Sequence, residues 1–307
     1  MTHPHLALFV LLSVGLFACT KESQTGKTGS TNPREFTRPE ILGSIEPEDL
    51  NESSGVVASR CNDGVLWSHN DSNAKPQVYA LNLKGNLLST VTLNDAENLD
   101  WEDIATVSDP DRCRIYIADT GNNYGIREKF TLYEFVEPSI AINQLSTKTA
   151  LTARRIEFTY ELEWGEAIPD VEALMIHPQS RDIFLVQKNK IGPSSVFKLK
   201  AAEINSGRGI AIKMGEVAIP SIPPGLITAG DISPDGRHLI LTDYLAAYEF
   251  KIPEDGLLDR VFKSKPQKID VGIRSQGESI SYSRDGRSIF ATSEGRRSSI
   301  SSVSLRE

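Results

Sequence analysis

From about residue 40 onward the chain is a succession of short apolar runs rich in Val, Ile, Leu, Tyr, Phe and Thr. They are cut by Asp, Asn, Gly and Pro. Runs of this kind bounded by turn formers predict strands. Five stand out: 64–68 (GVLWS), 114–118 (RIYIA), 182–186 (DIFLV), 238–242 (HLILT) and 288–292 (SIFAT). Helical spacing is almost absent, and only 200–205 predicts so much as a turn.

Each of these runs has the same neighbour upstream. The openings align as Ser54-Gly55-Val56-Val57, Glu102-Asp103-Ile104-Ala105, Glu172-Ala173-Leu174-Met175, Gly230-Asp231-Ile232-Ser233 and Glu278-Ser279-Ile280-Ser281. A polar turn follows each opening, often Asp-Gly-Arg (235–237, 285–287). Then come the second apolar strand and a polar cluster at its end. Third strands follow at 78–82 and 247–251, and fourth strands at 87–93 and 155–160. A four-strand unit repeating every 50 to 70 residues predicts an all-β fold, a β-propeller of about five blades. Six blades remain the alternative, because Glu102 and Glu172 lie 70 residues apart. The excess is assigned to insertions around 122–127 and 138–149. The last unit lacks an outer strand, and 41–45 (ILGSI) is a spare one, so an N-terminal strand is expected to close the ring.

The innermost strand of each blade lines the channel. Glu102, Glu172 and Glu278 therefore take equivalent places and should converge at one mouth. Asp100 and Asp170 precede their Glu by two residues and share its face. In the other two blades Ser54 and Gly230 hold the position, with Glu52 and Asp231 nearby. The second-strand ends supply Asn70, Asp71, Asp119, Lys188, Asp243 and Glu294, on the same rim. Carboxylates brought together raise one another's pKa, bind a cation or pair with a base. Hard oxygen ligands in an open ring suit Ca²⁺, with Glu102, Glu172 and Glu278 as its ligands. The competing role for all these acids is to cap turns and bond backbone N–H groups. Lys188 is an internal counter-charge or an anchor for an anion. His69 beside Asp71 is a weak candidate base. Trp67, Trp101 and Trp164 are expected to pack between blades, with Trp101 nearest the mouth. Asp119-Thr120-Gly121 is a turn, since the motif it matches in aspartic proteases occurs only once here.

The first residues change the picture of compartment. Residues 6–18 (LALFVLLSVGLFA) are apolar, too short to span a bilayer but long enough for a signal-peptide core. They end in Leu16-Phe17-Ala18-Cys19, which resembles a bacterial lipobox. That implies a signal peptide over 1–18, a lipidated Cys19 and a membrane anchor; a plain secretory signal is the alternative. Thr20 after the Cys implies the outer membrane, facing the periplasm or the surface. Residues 19–39 have little to bury and are expected to be a disordered tether, leaving 40–307 for the propeller. Nothing later is long and apolar enough to cross a membrane. An exported chain meets an oxidising environment, so Cys61 and Cys113 are expected to form a disulfide; two unpaired thiols are the alternative. The formal charge of −8, without a Lys/Arg stripe, excludes a nucleic-acid partner. A monomer is expected.

The segments beginning at Glu52, Asp100, Asp170, Gly230 and Gln276, with His69-Asn70-Asp71-Ser72 and Asp119-Thr120-Gly121-Asn122-Asn123, resemble a family of exported bacterial β-propellers of largely unknown activity. More distantly the chain is similar to the esterase-like phytase and regucalcin/gluconolactonase propellers. That similarity implies Ca²⁺ held by acids at the channel mouth and hydrolysis of phosphoesters or lactones. The phosphate-binding Lys/Arg set of a phytase is not evident in the sequence, and neither is a serine-hydrolase elbow. Two functions follow as expectations. One is a cell-envelope lipoprotein that binds a small ligand or an envelope protein at an acidic mouth. The other is a Ca²⁺-dependent hydrolase.

Overall fold

A computed structural model of the chain describes residues 33–142, 145–256 and 258–306. The expected signal peptide, Cys19 and residues 20–32 lie outside the described residues. From Arg34 onward the chain forms one compact unit.

The strands follow the repeat. β1 (Glu40–Ser44) comes first. The first array is β2 (Ser53–Ala58), β3 (Val65–Asn70), β4 (Gln77–Asn82) and β5 (Leu87–Asn94). β6 (Trp101–Ser108), β7 (Cys113–Asp119) and β8 (Phe130–Val136) begin the second. β9 (Thr147–Thr152) is an excursion, and β10 (Arg154–Glu161) completes that array. The third holds β11 (Val171–Ile176), β12 (Ile183–Gln187) and β13 (Ser194–Leu199), a short helix α1 (Ala201–Ser206), then β14 (Arg208–Val217). The fourth is β15 (Ala229–Ile232), β16 (His238–Thr242), β17 (Ala247–Lys251), helix α2 (Leu258–Val261) and β18 (Gln267–Ile269). The last is β19 (Ser279–Tyr282), β20 (Ser288–Thr292) and β21 (Ser299–Ser304).

Within each array neighbours pair antiparallel in sequence order. The innermost strands close a cycle in which β2 meets β6, β6 meets β11, β11 meets β15, β15 meets β19 and β19 meets β2. The fold is a β-propeller. β1 pairs antiparallel with β21, so the N-terminal strand completes the last array. Each pair of adjacent arrays encloses its own apolar cluster. Val57, Trp67, Ile104 and Tyr133 fill the first interface, and Met175, Val186, Leu239 and Tyr248 fill the third. One sheet cannot bury both faces alone, whereas stacking around an axis buries both.

Four features differ from the sequence expectation. Residues 34–39, expected to belong to the tether, are part of the fold. Phe36 bridges to Leu305, the Thr37 N–H donates to Ser304 at 2.8 Å, and Arg34 pairs with Glu249 at 2.8 Å. The insertion near 138–149 contains a strand: β9 runs parallel to β5 and extends the neighbouring array. In addition, β10 pairs parallel with β14, joining two arrays at their outer edges. Trp67 and Trp101 are buried as expected, but Trp164 is fully exposed in the connector before β11. Cys61 and Cys113 form a disulfide with Cα atoms 5.9 Å apart. It ties the first two arrays at the end of the ring opposite the first residues of the inner strands. Among the described residues no helix is long and apolar enough to cross a membrane.

Candidate functional site

The inner strands all start at one end, so the connectors that precede them and those joining second to third strands share one rim. A local irregularity aims the first side chains. In β6 the register jumps between Trp101 and Asp103, in β11 between Val171 and Ala173, and in β2 between Ser53 and Gly55. The residue left out of the ladder is Glu102, Glu172 or Ser54. A bulge re-aims a side chain and lets consecutive residues turn the same way. Glu102 and Asp103 therefore both face the channel, Glu102 at the mouth and Asp103 one step deeper.

At the mouth, oxygens of Asp71, Asp100 and Glu102 lie within 4.8 Å of one another, and so do oxygens of Glu102, Asp170 and Glu172. Glu102 belongs to both groups. No hydrogen-bond donor among the described residues reaches its carboxylate. Burial, and then the charges of Glu172 and Asp71, raise it well above the usual carboxylate range. Glu172 is pushed up to about 8 by burial, against the pull of Lys188. Asp71 is pushed up to about 6 by burial, with Asp100 and Glu278 adding to it. Burial and the neighbouring Asp170 also raise Asp100. The Asn122 N–H donates to Asp170 at 2.7 Å. Gly121 makes this packing possible: a Cβ there would collide with Glu102 and Asp100.

Lys188 supplies the one ammonium within this cluster. It donates to Glu172 at 2.9 Å and lies 3.9 Å from Glu278. Burial alone would lower its pKa, but Glu172 and then Glu278 outweigh burial and keep it raised. Its ammonium also sits 5.4 Å from the Tyr244 ring centre. Lys188 is therefore an internal counter-charge. Glu278 falls in neither close group. Instead the Gln276 amide joins it to Glu294, at 3.1 and 2.6 Å. Glu294 is pushed up to about 9 by burial and by Glu278.

The structure thus brings Glu102, Glu172, Glu278, Asp71, Lys188 and Glu294 to one mouth, with Asp100 and Asp170. The close oxygen groups use Asp71, Asp100 and Asp170 where the repeat suggested Glu278. Four other candidates do different work. Asn70 accepts from the Asn51 and Glu52 N–H groups at 3.1 and 3.0 Å, and so fixes the chain before β2. Asp119 pairs with Arg127 at 2.8 Å and accepts the Asp100 N–H, behind the mouth. Asp243 accepts from the N–H groups of Leu245 and Ala246 and from the Tyr248 hydroxyl, a turn cap. Asp231 is not a rim residue. It lies deeper in the channel, accepting the Tyr282 N–H at 2.9 Å, with Arg60 at 3.4 Å. His69 is fully buried, edge-on to Trp101, and burial pushes it down to about 4. It has no access to the mouth as a base.

The sequence reading missed Gln276, Tyr244, Arg127 and the deep Asp103. A signal existed for Gln276, which precedes Glu278 by two residues as Asp100 and Asp170 precede theirs. Arg127 closes a polar hollow of about 570 Å³ beside Asp100, together with Tyr124 and Lys190.

The donor set fits a hard divalent cation: oxygens only, three carboxylates per group, with a cradle at Gly121 that a side chain would fill. The chain would hold such an ion with Glu102 at the centre, and Lys188 would compete for Glu172.

No protein-family model matches the chain, and no curated protein matches it. Solved structures with a similar fold include a putative 6-phosphogluconolactonase from Bacteroides uniformis ATCC 8492, at 15% identity and TM-score 0.43, covering 83% of this chain and 68% of that one. Hydrazine synthase of Kuenenia stuttgartiensis matches at 10% identity and TM-score 0.44, covering 83% and 96%. U3-55K matches at 11% identity and TM-score 0.39, covering 82% and 68%. At these scores the likenesses carry no argument about this chain.

Proposed function

We propose that this chain is an exported, lipid-anchored propeller of the cell envelope that binds Ca²⁺ at its acidic mouth and presents that rim to a small ligand or an envelope protein. In this reading Cys19 carries the lipid and residues 20–33 are the tether. The observation that carries the proposal is the convergence of five carboxylates, Asp71, Asp100, Glu102, Asp170 and Glu172, with Lys188 paired to one of them and Arg127 beside Asp100 as the nearby positive charges. Left metal-free, such a cluster must stay partly protonated. A divalent cation would discharge it.

The rim supports a partner role. Tyr124, Trp164, Ile191, Ile222 and Ile273 are almost wholly exposed, and all lie in connectors on the mouth side. Exposed apolar residues around a polar centre mark interaction surfaces. The test is titration of Ca²⁺ into chelator-treated protein by calorimetry. Saturable binding that Glu102→Gln weakens supports the reading; binding unaffected by the substitution rejects it.

A second reading, a Ca²⁺-dependent phosphoesterase or lactonase, is favoured by the hollow beside Asp100, where Arg127 and Lys190 could hold an anionic group. A phosphoester and lactone screen separates the two. Metal-dependent turnover that Glu172→Gln abolishes selects the hydrolase; metal binding without turnover selects the binding protein.

A further inference from the structure

A second pocket, on the same rim but of opposite character, has about 560 Å³ between the connector before β19 and the loop joining β20 to β21. Three arginines line it: Arg274, Arg296 and Arg297. Arg274 is only 7% exposed. Its Nη2 donates to Thr242 Oγ1 at 2.9 Å and to the Asp243 carbonyl at 3.1 Å, while its Nε and Nη1 have no partner. The guanidinium lies against Gly277, where any Cβ would strike it. No carboxylate among the described residues bonds it, because the Asp243 side chain is occupied by its own turn. Ser298 Oγ, on the same pocket wall, is likewise buried and unpartnered.

Arg296 is exposed and has no bonded partner among the described residues. Arg297 reaches only Glu48, at 4.0 Å. Two acids share the wall with the arginines. Asp270 accepts the Gly272 N–H, and Glu294 faces the mouth through Gln276.

We propose that this pocket is an oxyanion-binding site, with Arg274 as its buried anchor, Ser298 as a hydroxyl donor and Arg296 and Arg297 as its outer clamp, for the phosphate or sulfate group of a small polar molecule. A buried guanidinium whose Nε and Nη1 lack partners is left uncompensated, and planar forked donors suit a tetrahedral oxyanion. The volume far exceeds that of a bare ion and leaves room for the molecule that carries the group. The pocket adjoins the mouth through Glu294, so its test runs with the cation proposed there removed.

The experiment is calorimetric titration in chelator with three probes: inorganic phosphate, sulfate and glycerol 3-phosphate. Glycerol 3-phosphate is expected to bind in the millimolar range or better, and phosphate more weakly. Sulfate matching phosphate assigns general oxyanion recognition; sulfate failing assigns phosphate. Arg274→Gln should weaken binding at least about tenfold. Because that substitution touches the interior, the surface double variant R296A/R297A provides the second arm and should weaken binding about threefold to tenfold. No binding of any probe at about 10 mM, or binding that either folded variant leaves unchanged, overturns the proposal. Binding that vanishes in chelator and returns with Ca²⁺ also overturns it, because the anion would then sit on the metal.

Discussion

Glu102 and Asp103 are consecutive residues on one strand, both buried, both facing the channel, and their surroundings are opposite. Asp103 accepts from the N–H groups of Ile104 and Leu174 at 2.8 Å and of Gly230 at 3.3 Å. Asp231 does the same two arrays further on, with Tyr282 and Arg60. These deep carboxylates staple neighbouring inner strands together. Glu102 meets no donor, only other acids. Side chains that close the ring have their bonds within the ring; those at the mouth are left facing one another. That difference separates structural acids from candidate ligands better than charge or repeat position does.

The largest effect expected is on the structural side. Asp103→Ala strands backbone donors on two other inner strands and should cost about 4 kcal/mol or more, read by urea denaturation. Glu102→Gln should be neutral or stabilising in chelator. If the two substitutions cost the same, the contrast between depth and mouth fails. Reducing the Cys61–Cys113 bridge, which closes a 52-residue separation at the far end of the ring, should cost about 3 kcal/mol. Ca²⁺ affinity should stay unchanged, because no mouth residue touches the bridge.

Next in size is a pH effect. Glu172 is held at about 8 and Glu294 at about 9, whereas the unfolded chain returns both to ordinary carboxylate values. Their folded pKa values lie above the unfolded ones, so the folded protein binds more protons in between. The stability they confer is present at acid pH and is lost as pH rises through about 8 to 9. Chelated protein should therefore lose about 2 kcal/mol between pH 5 and pH 9, with allowance for solvent at the half-open rim. Saturating Ca²⁺ should flatten the curve. A metal-free Tm that rises over that interval would break the assignment. The smallest effect on stability, about 1 to 2 kcal/mol, is expected for Gly121→Ala, whose Cβ enters the space of Glu102 and Asp100. It should still reduce Ca²⁺ affinity about tenfold by calorimetry.

Much of this was legible in the sequence, because inner strands share an opening and side chains alternate with period two. Glu102, Glu172, Asp100 and Asp170 follow from those two facts. The deeper place of Asp231 did not, since it aligns with Asp103 rather than with Glu102, and a one-residue step moves a side chain from mouth to interior. The replacement of Glu278 by Asp71 depends on bulges in β2, β6 and β11 that β19 lacks. No composition rule marks those bulges. β9 was hidden because its sequence, TKTALT, is polar and largely exposed, and its pairing is parallel across arrays. The arginine pocket was hidden because Arg274 sits in a connector 22 residues from Arg296.

The central claim, that the mouth acids are ligands and the deep acids are staples, is tested most directly by titrating Ca²⁺ into chelator-treated wild-type protein and Glu102→Gln side by side. Saturable binding to the wild type, at least about tenfold weaker in a normally folded Glu102→Gln, is the expected result. No Ca²⁺ binding by the wild type, or equal binding by both proteins, would contradict it.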